Sequence, residues 1–194
     1  MRKKTLGSRG YTLVEVLVAV IVVIAIGVII VSILSSTLRV TRKTNVVSSI
    51  RTSGNQAITQ MAKLMKFAKK FEGVSTNDIT YVLDCTHDVV APTPTPTPVP
   101  YKYLKFKGED DSEIKFWCDD TNDTIILNTV SLLDIDTVKV ANDKCSFTCS
   151  QDRLSTNQVI TVYFQLRQAE DSTFAESQFS IPFETSVVLK NLVK

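Results

Sequence analysis

Val16 to Leu34 is a run of 19 residues in which Ser32 is the sole polar side chain. As a helix, a run of this length spans about 30 Å, the thickness of a bilayer's hydrocarbon core. Its Val and Ile content would favour a strand in water. A lone strand in lipid leaves its backbone unpaired, so the run reads as a membrane helix. Residues 1–10 carry Arg2, Lys3, Lys4 and Arg9 and no acid, which places the N-terminus in the cytoplasm and the rest of the chain outside it. The remaining composition is that of a globular domain. A net charge of +2 over 194 residues excludes a generally basic nucleic-acid-binding protein, and a single His excludes a multi-His metal or catalytic site.

A cleaved secretory signal does not fit, because such signals have apolar cores of about 7–15 residues and a small-x-small cleavage site. Ser35-Ser36-Thr37 is not one. A plain membrane anchor leaves Glu15 unexplained, since an ionised carboxylate at the mouth of an apolar helix needs a partner. The segment Gly10-Tyr11-Thr12-Leu13-Val14-Glu15, after a short basic leader and before an apolar helix, resembles the processing motif of type IV pilins and pseudopilins. Tyr11 stands where Phe is commoner. The resemblance implies cleavage between Gly10 and Tyr11 by a membrane aspartyl protease, the prepilin peptidase, and N-methylation at Tyr11. Cleavage there creates an α-amine, and Glu15 lies four residues on, with its side chain directed back toward that end. The amine has two candidate partners, its own Glu15 or that of a neighbouring subunit; the resemblance favours the neighbour, with the pair setting register in a filament.

Beyond Leu34 the first proline is Pro92. Val46/Val47, Ile50, Ala57/Ile58, Met61, Leu64/Met65, Ala68 and Phe71 recur in steps of three and four, the stripe of an amphipathic helix. Gly54 fills the missing position as a weak point or a close-packing point, and Gly27 is the weak residue of the membrane half. Glu72-Gly73 reads as a stop. The expectation is one helix from about residue 11 to 71, roughly 90 Å long. It comprises a transmembrane or filament-core part over 11–35 and an amphipathic continuation over 36–72. Lys63, Lys66, Lys69 and Lys70 are read as a solvated face, with pairing to acidic heads or contact with an anionic surface or DNA as the alternatives.

Residues 73–194 carry 10 bases and 18 acids, whereas 39–71 hold eight bases and no acid. This head alternates apolar and polar residues between turn signals, which argues for strands. Expected strands are Ile79–Leu83, Tyr101–Lys107, a hairpin of Ile114–Trp117 and Thr124–Leu127, Ser131–Val140, Val159–Arg167, and a last one through Phe179, Ile181, Phe183, Val187 and Leu189. In Val159–Arg167, Ile160, Val162, Phe164 and Leu166 share one face. The fold class is α+β: a long N-terminal helix packed on an antiparallel sheet, pilin-like by resemblance. The layout, with Leu189-Lys190-Asn191 near the end, also resembles the minor pilins of the PilW and pseudopilin J group. Ala91 to Pro100 holds five of six prolines in a Thr-Pro repeat, expected as an extended loop between strands whose Thr residues are candidates for sugars.

Cys85, Cys118, Cys145 and Cys149 lie in the exported head, where disulfides are permitted and three connectivities exist. The short spacing of Cys145 and Cys149 favours their closing on each other, leaving Cys85 with Cys118. Major pilins resembling this chain enclose a C-terminal loop with a Cys pair; here the last 45 residues lack Cys, which points to a minor subunit. Cys85-Thr86-His87 matches no zinc spacing and has no orienting group for a nucleophile. Asp119, Asp120, Asn122 and Asp123 lack the Gly and distal Glu of a calcium loop and read as a hairpin turn. No catalytic residue, metal or cofactor is called. By resemblance the chain is a structural subunit of a type IV pilus serving adhesion, twitching or DNA uptake, or a pseudopilin of a type II secretion or competence system. The implied partners are the prepilin peptidase, other pilin or pseudopilin subunits, the membrane assembly platform and, before assembly, membrane lipid. A membrane-tethered binding domain is the reading from another class.

Overall fold

The computed structural model describes residues 11–83, 85, 99–151, 157–169 and 179–189. The leader with Gly10, the Thr-Pro repeat at 91–98, His87 and the pair Lys190-Asn191 lie outside the described residues. The order of elements is one helix, α1 (Leu13–Lys66), then β1 (Lys70–Ser75), β2 (Tyr103–Lys107), β3 (Glu113–Asp119), β4 (Thr124–Leu127), β5 (Val130–Ser131), β6 (Val138–Gln151), β7 (Gln158–Gln168) and β8 (Ser180–Leu189). All sheet pairs are antiparallel, so the fold is α+β. The strands form two sheets rather than one: a five-stranded meander β1-β2-β3-β4-β5 and a three-stranded sheet β6-β7-β8. The chain divides into two units, Met1–Thr44 and Asn45–Lys194.

In the second unit the helical stripe is buried as its spacing requires. Ile50, Ala57, Met61 and Met65 are inaccessible or nearly so, and Gly54 sits in line with them. Gly54 is a close-packing point: a Cβ built there would lie 2.2–2.6 Å from the ring carbons of Phe183 on β8. Phe183 in turn stacks on Phe164 with ring centroids 5.4 Å apart, so it has little room to withdraw. The helix stops at Lys66, short of the expected 71–72. Its last amide bond is Phe67 N–H to Lys63 O; by Lys69 the backbone N–H already donates to Lys107 O of β2. Strand pairing has captured the end of the stripe, and Phe71 packs on Phe106 at 5.3 Å instead of on a helical neighbour. Gly73 marks a β-bulge rather than a helix stop. Its φ of 125° and its closeness to Val82 O, 2.8 Å from where a Cβ would be, both require glycine.

The clearest expected strand is found as β7, with Ile160, Val162, Phe164 and Leu166 buried. The hairpin around Asp119–Asp123 is β3-β4. Two expected strands are not. In Ile79–Leu83 only Val82 pairs, with Val74. The Asn77 side-chain oxygen accepts from the Ile79 and Thr80 amides, which a strand would need for its ladder. Ser131–Val140 is broken by Ser131, whose hydroxyl binds Leu133, and by Asp134, whose carbonyl accepts from Thr137 and Val138.

β6 takes up only the end of the expected Ser131–Val140 strand and continues through Gln151, and that continuation decides the cysteines. Cys145 and Cys149 lie on this one strand, so about 13 Å separates their Cα atoms, beyond any disulfide's reach. The bridges are Cys85–Cys149 and Cys118–Cys145, with Cα separations of 5.3 and 5.8 Å. Both expected pairings, Cys145–Cys149 and Cys85–Cys118, are thereby corrected. A register shift between Val140 and Cys145 resets the alternation of β6. Val138 and Val140 face the core before it, and Cys145, Phe147 and Cys149 face the same core after it. The bridge Cys118–Cys145 ties β3 to β6, hence one sheet to the other. Tyr101 adds paired backbone bonds to Phe147 at 2.7 and 2.8 Å. The ends of the excursion between Cys85 and Tyr101 are therefore attached to β6 two residues apart.

Gly54→Ala should lower unfolding stability by about 1–3 kcal/mol through overpacking on Phe183, despite the better helix propensity of Ala. Adding Phe183→Leu should recover part of the loss, and chemical denaturation of the single and double variants checks this. Non-reducing peptide mapping should return the Cys85–Cys149 and Cys118–Cys145 peptides; an internally bridged 145–149 peptide would contradict the fold.

Candidate processing and assembly segment

The helix begins with a reciprocal cap. Thr12 is the N-cap, and its hydroxyl accepts from the Glu15 backbone N–H at 3.3 Å. Glu15 Oε2 accepts from the Thr12 backbone N–H at 3.3 Å and lies 3.4 Å from the Thr12 hydroxyl. This is a capping box, two orphan amides satisfied by one Thr-x-x-Glu pair. Its signature stands in the sequence at 12–15, and the reading of Glu15 as a charge awaiting a partner passed over it. Both bonds use Oε2; Oε1 makes none among the described residues. Tyr11 is 83% exposed and directly precedes the cap.

Past the cap, α1 contains a window of mean hydropathy 3.5, and none of it is buried. Leu13, Ile24, Ile33 and the apolar side chains between them are all exposed. This is one helix long and apolar enough to cross a membrane. Four of its hydroxyls are satisfied locally. The hydroxyls of Ser32, Thr37, Thr41 and Thr44 each donate to the carbonyl four residues earlier at 2.9 Å. Such back-bonds let a hydroxyl enter an apolar medium without an unmet donor. The helix runs unbroken through Gly27.

The other candidates from sequence are dispersed. Asp119 is consumed by its own turn, accepting from the Thr121 and Asn122 amides and from the Asn122 side chain at 2.7 Å. Asp120 pairs with Lys102 at 2.7 Å and Asp123 with Arg167 at 3.0 Å. These carboxylates face three different partners rather than one ion. Cys85 is in a disulfide and offers no thiol. Lys63, Lys66, Lys69 and Lys70 are exposed, and Lys69 pairs with Asp111 at 2.8 Å.

A second concentration of functional groups lies on the outer face of the five-stranded sheet, unremarked in the sequence because its members come from three segments. Lys115 pairs with Asp78 and stands over the rings of Tyr103 and Trp117 at 5.4 and 5.1 Å. Lys105 pairs with Glu113 at 2.9 Å and stands over Tyr81. Register explains the alignment, since Tyr103 opposes Trp117 and Lys105 opposes Lys115. Partial burial pushes the Asp78 carboxyl up, but the hydrogen bonds from Lys115 and Tyr81 outweigh it and hold the group below its ordinary value of 3.8. The Tyr81 hydroxyl is pushed up by burial and by its bond to Asp78. Every lysine of this cluster has an acid, so the face is a self-satisfied network that pins the 78–82 segment to the sheet.

Comparison with protein-family models, curated proteins and solved structures gave no match.

Because its folded value is depressed, Asp78 contributes stability that is fully present above pH 3.8 and is lost as pH falls through the folded value. Asp78→Asn should therefore melt below the wild type at pH 6, with the gap closing as pH falls below 3.8 and through the folded value. Thermal melts across that range test this.

Proposed function

We propose that this chain is a prepilin-like structural subunit, a minor member of a type IV pilus, made as a membrane protein and incorporated into a filament. The observation that carries the reading is the juxtaposition at the helix start. The Gly10–Tyr11 bond directly precedes the capped turn, and the helix that follows is apolar on every side with nothing covering it. Such a surface rests in lipid or against other helices. A subunit that moves from membrane to filament exchanges one for the other.

Glu15 then serves two states. In the free subunit its Oε2 closes the cap. In the assembled state Oε1 is available to the methylated amine of a neighbour's Tyr11. Because Glu15 is present, the subunit docks below the extreme tip of the filament. The prepilin peptidase, other pilin or pseudopilin subunits and the membrane assembly platform are its partners. The lack of Cys beyond Cys149 supports a minor rather than a major role. The subunit is not read as an enzyme; nucleic acid is a lesser alternative among its partners.

Mass spectrometry of the mature protein from cells with a prepilin peptidase should find Tyr11 at the N-terminus carrying one added methyl group. Gly10→Val should leave the leader attached. Glu15→Gln keeps a capping side chain at N3 and removes only the charge, so it separates the two roles. It should leave the level of the membrane-inserted subunit unchanged while removing the subunit from purified filaments. Retention of Met1, or normal incorporation of Glu15→Gln, would refute the reading.

A further inference from the structure

The basic residues just past the apolar run have no ion pair among the described residues. Arg39, Arg42 and Lys43 occupy positions i, i+3 and i+4 of α1 and are exposed. Residues three and four apart share a helix face. None of the three makes an ion pair among the described residues. No acid occurs between Val16 and Phe71, so no helical neighbour can supply one.

On the opposite face, Ile33, Thr37, Val40, Thr41 and Thr44 present methyl groups and hydroxyls already bonded to the backbone. Here the helix is sided, bare cations on one face and a surface tolerant of an apolar medium on the other. Taking the membrane span as Val16–Leu34, Arg39 to Lys43 begins about 8 Å beyond it, at the depth of lipid headgroups.

The placement also opposes correct insertion. Bases flanking a span draw their side toward the cytoplasm, and these three compete against only four in the leader. A cluster that weakens the orientation signal calls for a role in the inserted protein.

We propose that Arg39, Arg42 and Lys43 form a clamp for anionic phospholipid headgroups in the leaflet facing the extracytoplasmic side, holding the subunit at a fixed depth before it enters a filament. The proposal rests on the reading of α1 as a membrane helix. A basic residue at an anionic surface adds about 1 kcal/mol, so three give a preference of about a hundredfold at most over neutral lipid.

The test uses the full chain reconstituted in nanodiscs of phosphatidylcholine with spin-labelled phosphatidylglycerol or spin-labelled phosphatidylcholine at trace level. Electron paramagnetic resonance reads the immobilised fraction of each label. The wild type should immobilise the anionic label at least several-fold more than the neutral one, with the preference falling as salt is raised. The R39Q/R42Q/K43Q variant should lose the preference. K63Q/K66Q/K70Q, which removes three charges from the other unit, should keep it. Alkaline carbonate extraction of cell membranes gives the separate check on the helix. Wild type that resists extraction but shows no preference, or a preference equally lost in K63Q/K66Q/K70Q, overturns the clamp and leaves the membrane reading standing. Wild type released by carbonate overturns both.

Discussion

The head depends on the parity of one strand. β6 must present Val138 and Val140, and then Cys145, Phe147 and Cys149, to a single core. Five positions separate Val140 from Cys145, an odd number, so an uninterrupted strand would turn one group outward. The register shift opposite Gln165 absorbs the difference, and Asp143 takes a φ of 53° within it. Both disulfides and the Tyr101–Phe147 bridge follow from this reset. With Cys145 inward, Cys118 on β3 can bridge to it. With Cys149 inward, Cys85 can do the same, and the Phe147 backbone meets Tyr101 between them. Each such bridge is worth about 2–4 kcal/mol, and together they close loops between segments that strand pairing leaves separate.

What was legible in the sequence is what a simple period dictates. Ile50 to Met65 and Ile160 to Leu166 repeat at 3.6 and 2.0, and both faces are buried as read. What was not legible came from interruptions of period. β6 carries four residues that break its alternation, and its stretch Ala141 to Lys144 hides the continuation of the strand from Cys145 onward. The short spacing Cys145-Ser-Phe-Thr-Cys149 then looked like a closed loop, although in a strand that spacing holds two sulfurs apart on one face. The end of the helix was misplaced for a related reason. Ala68 and Phe71 do continue the apolar stripe and are buried, but by a turn and a strand. Burial follows apolarity whatever the backbone does, so a stripe marks the buried side and not where a helix ends.

At the start of α1 one pair of residues admits two functions at once. Thr-x-x-Glu is an ordinary helix start, and its geometry at 12–15 explains Glu15 with no partner at all. A cap alone, however, is served as well by Gln, and it needs no bond break next to it. On the proposed reading, a carboxylate whose second oxygen is unbonded among the described residues, four residues from the Gly10–Tyr11 bond, is suited to an amine that cleavage of that bond would create. The cap holds the carboxylate near the helix start until that amine, or a neighbour's, arrives. The cap and the proposed pair thus act in sequence on the two oxygens of one side chain.

The partition of charge leads to the same conclusion by a different route. Of the eight bases between Arg39 and Lys70, Lys69 meets an acid of the head, Asp111, and none of the other seven has an ion pair among the described residues. Within the head, Lys102, Lys105, Lys107, Lys115 and Arg167 each pair with an acid, as in Lys105 with Glu72 and Glu113 or Lys115 with Asp78. A chain that pairs its charges in the head, yet leaves Arg39, Arg42 and Lys43 bare just past a run whose apolar side chains are all exposed, is complete in the head and incomplete in the first part of the helix. Water satisfies the bases but not the apolar surface, and hydrocarbon does the reverse. A bilayer boundary satisfies both, because it sets an apolar interior against an anionic rim a few ångströms apart.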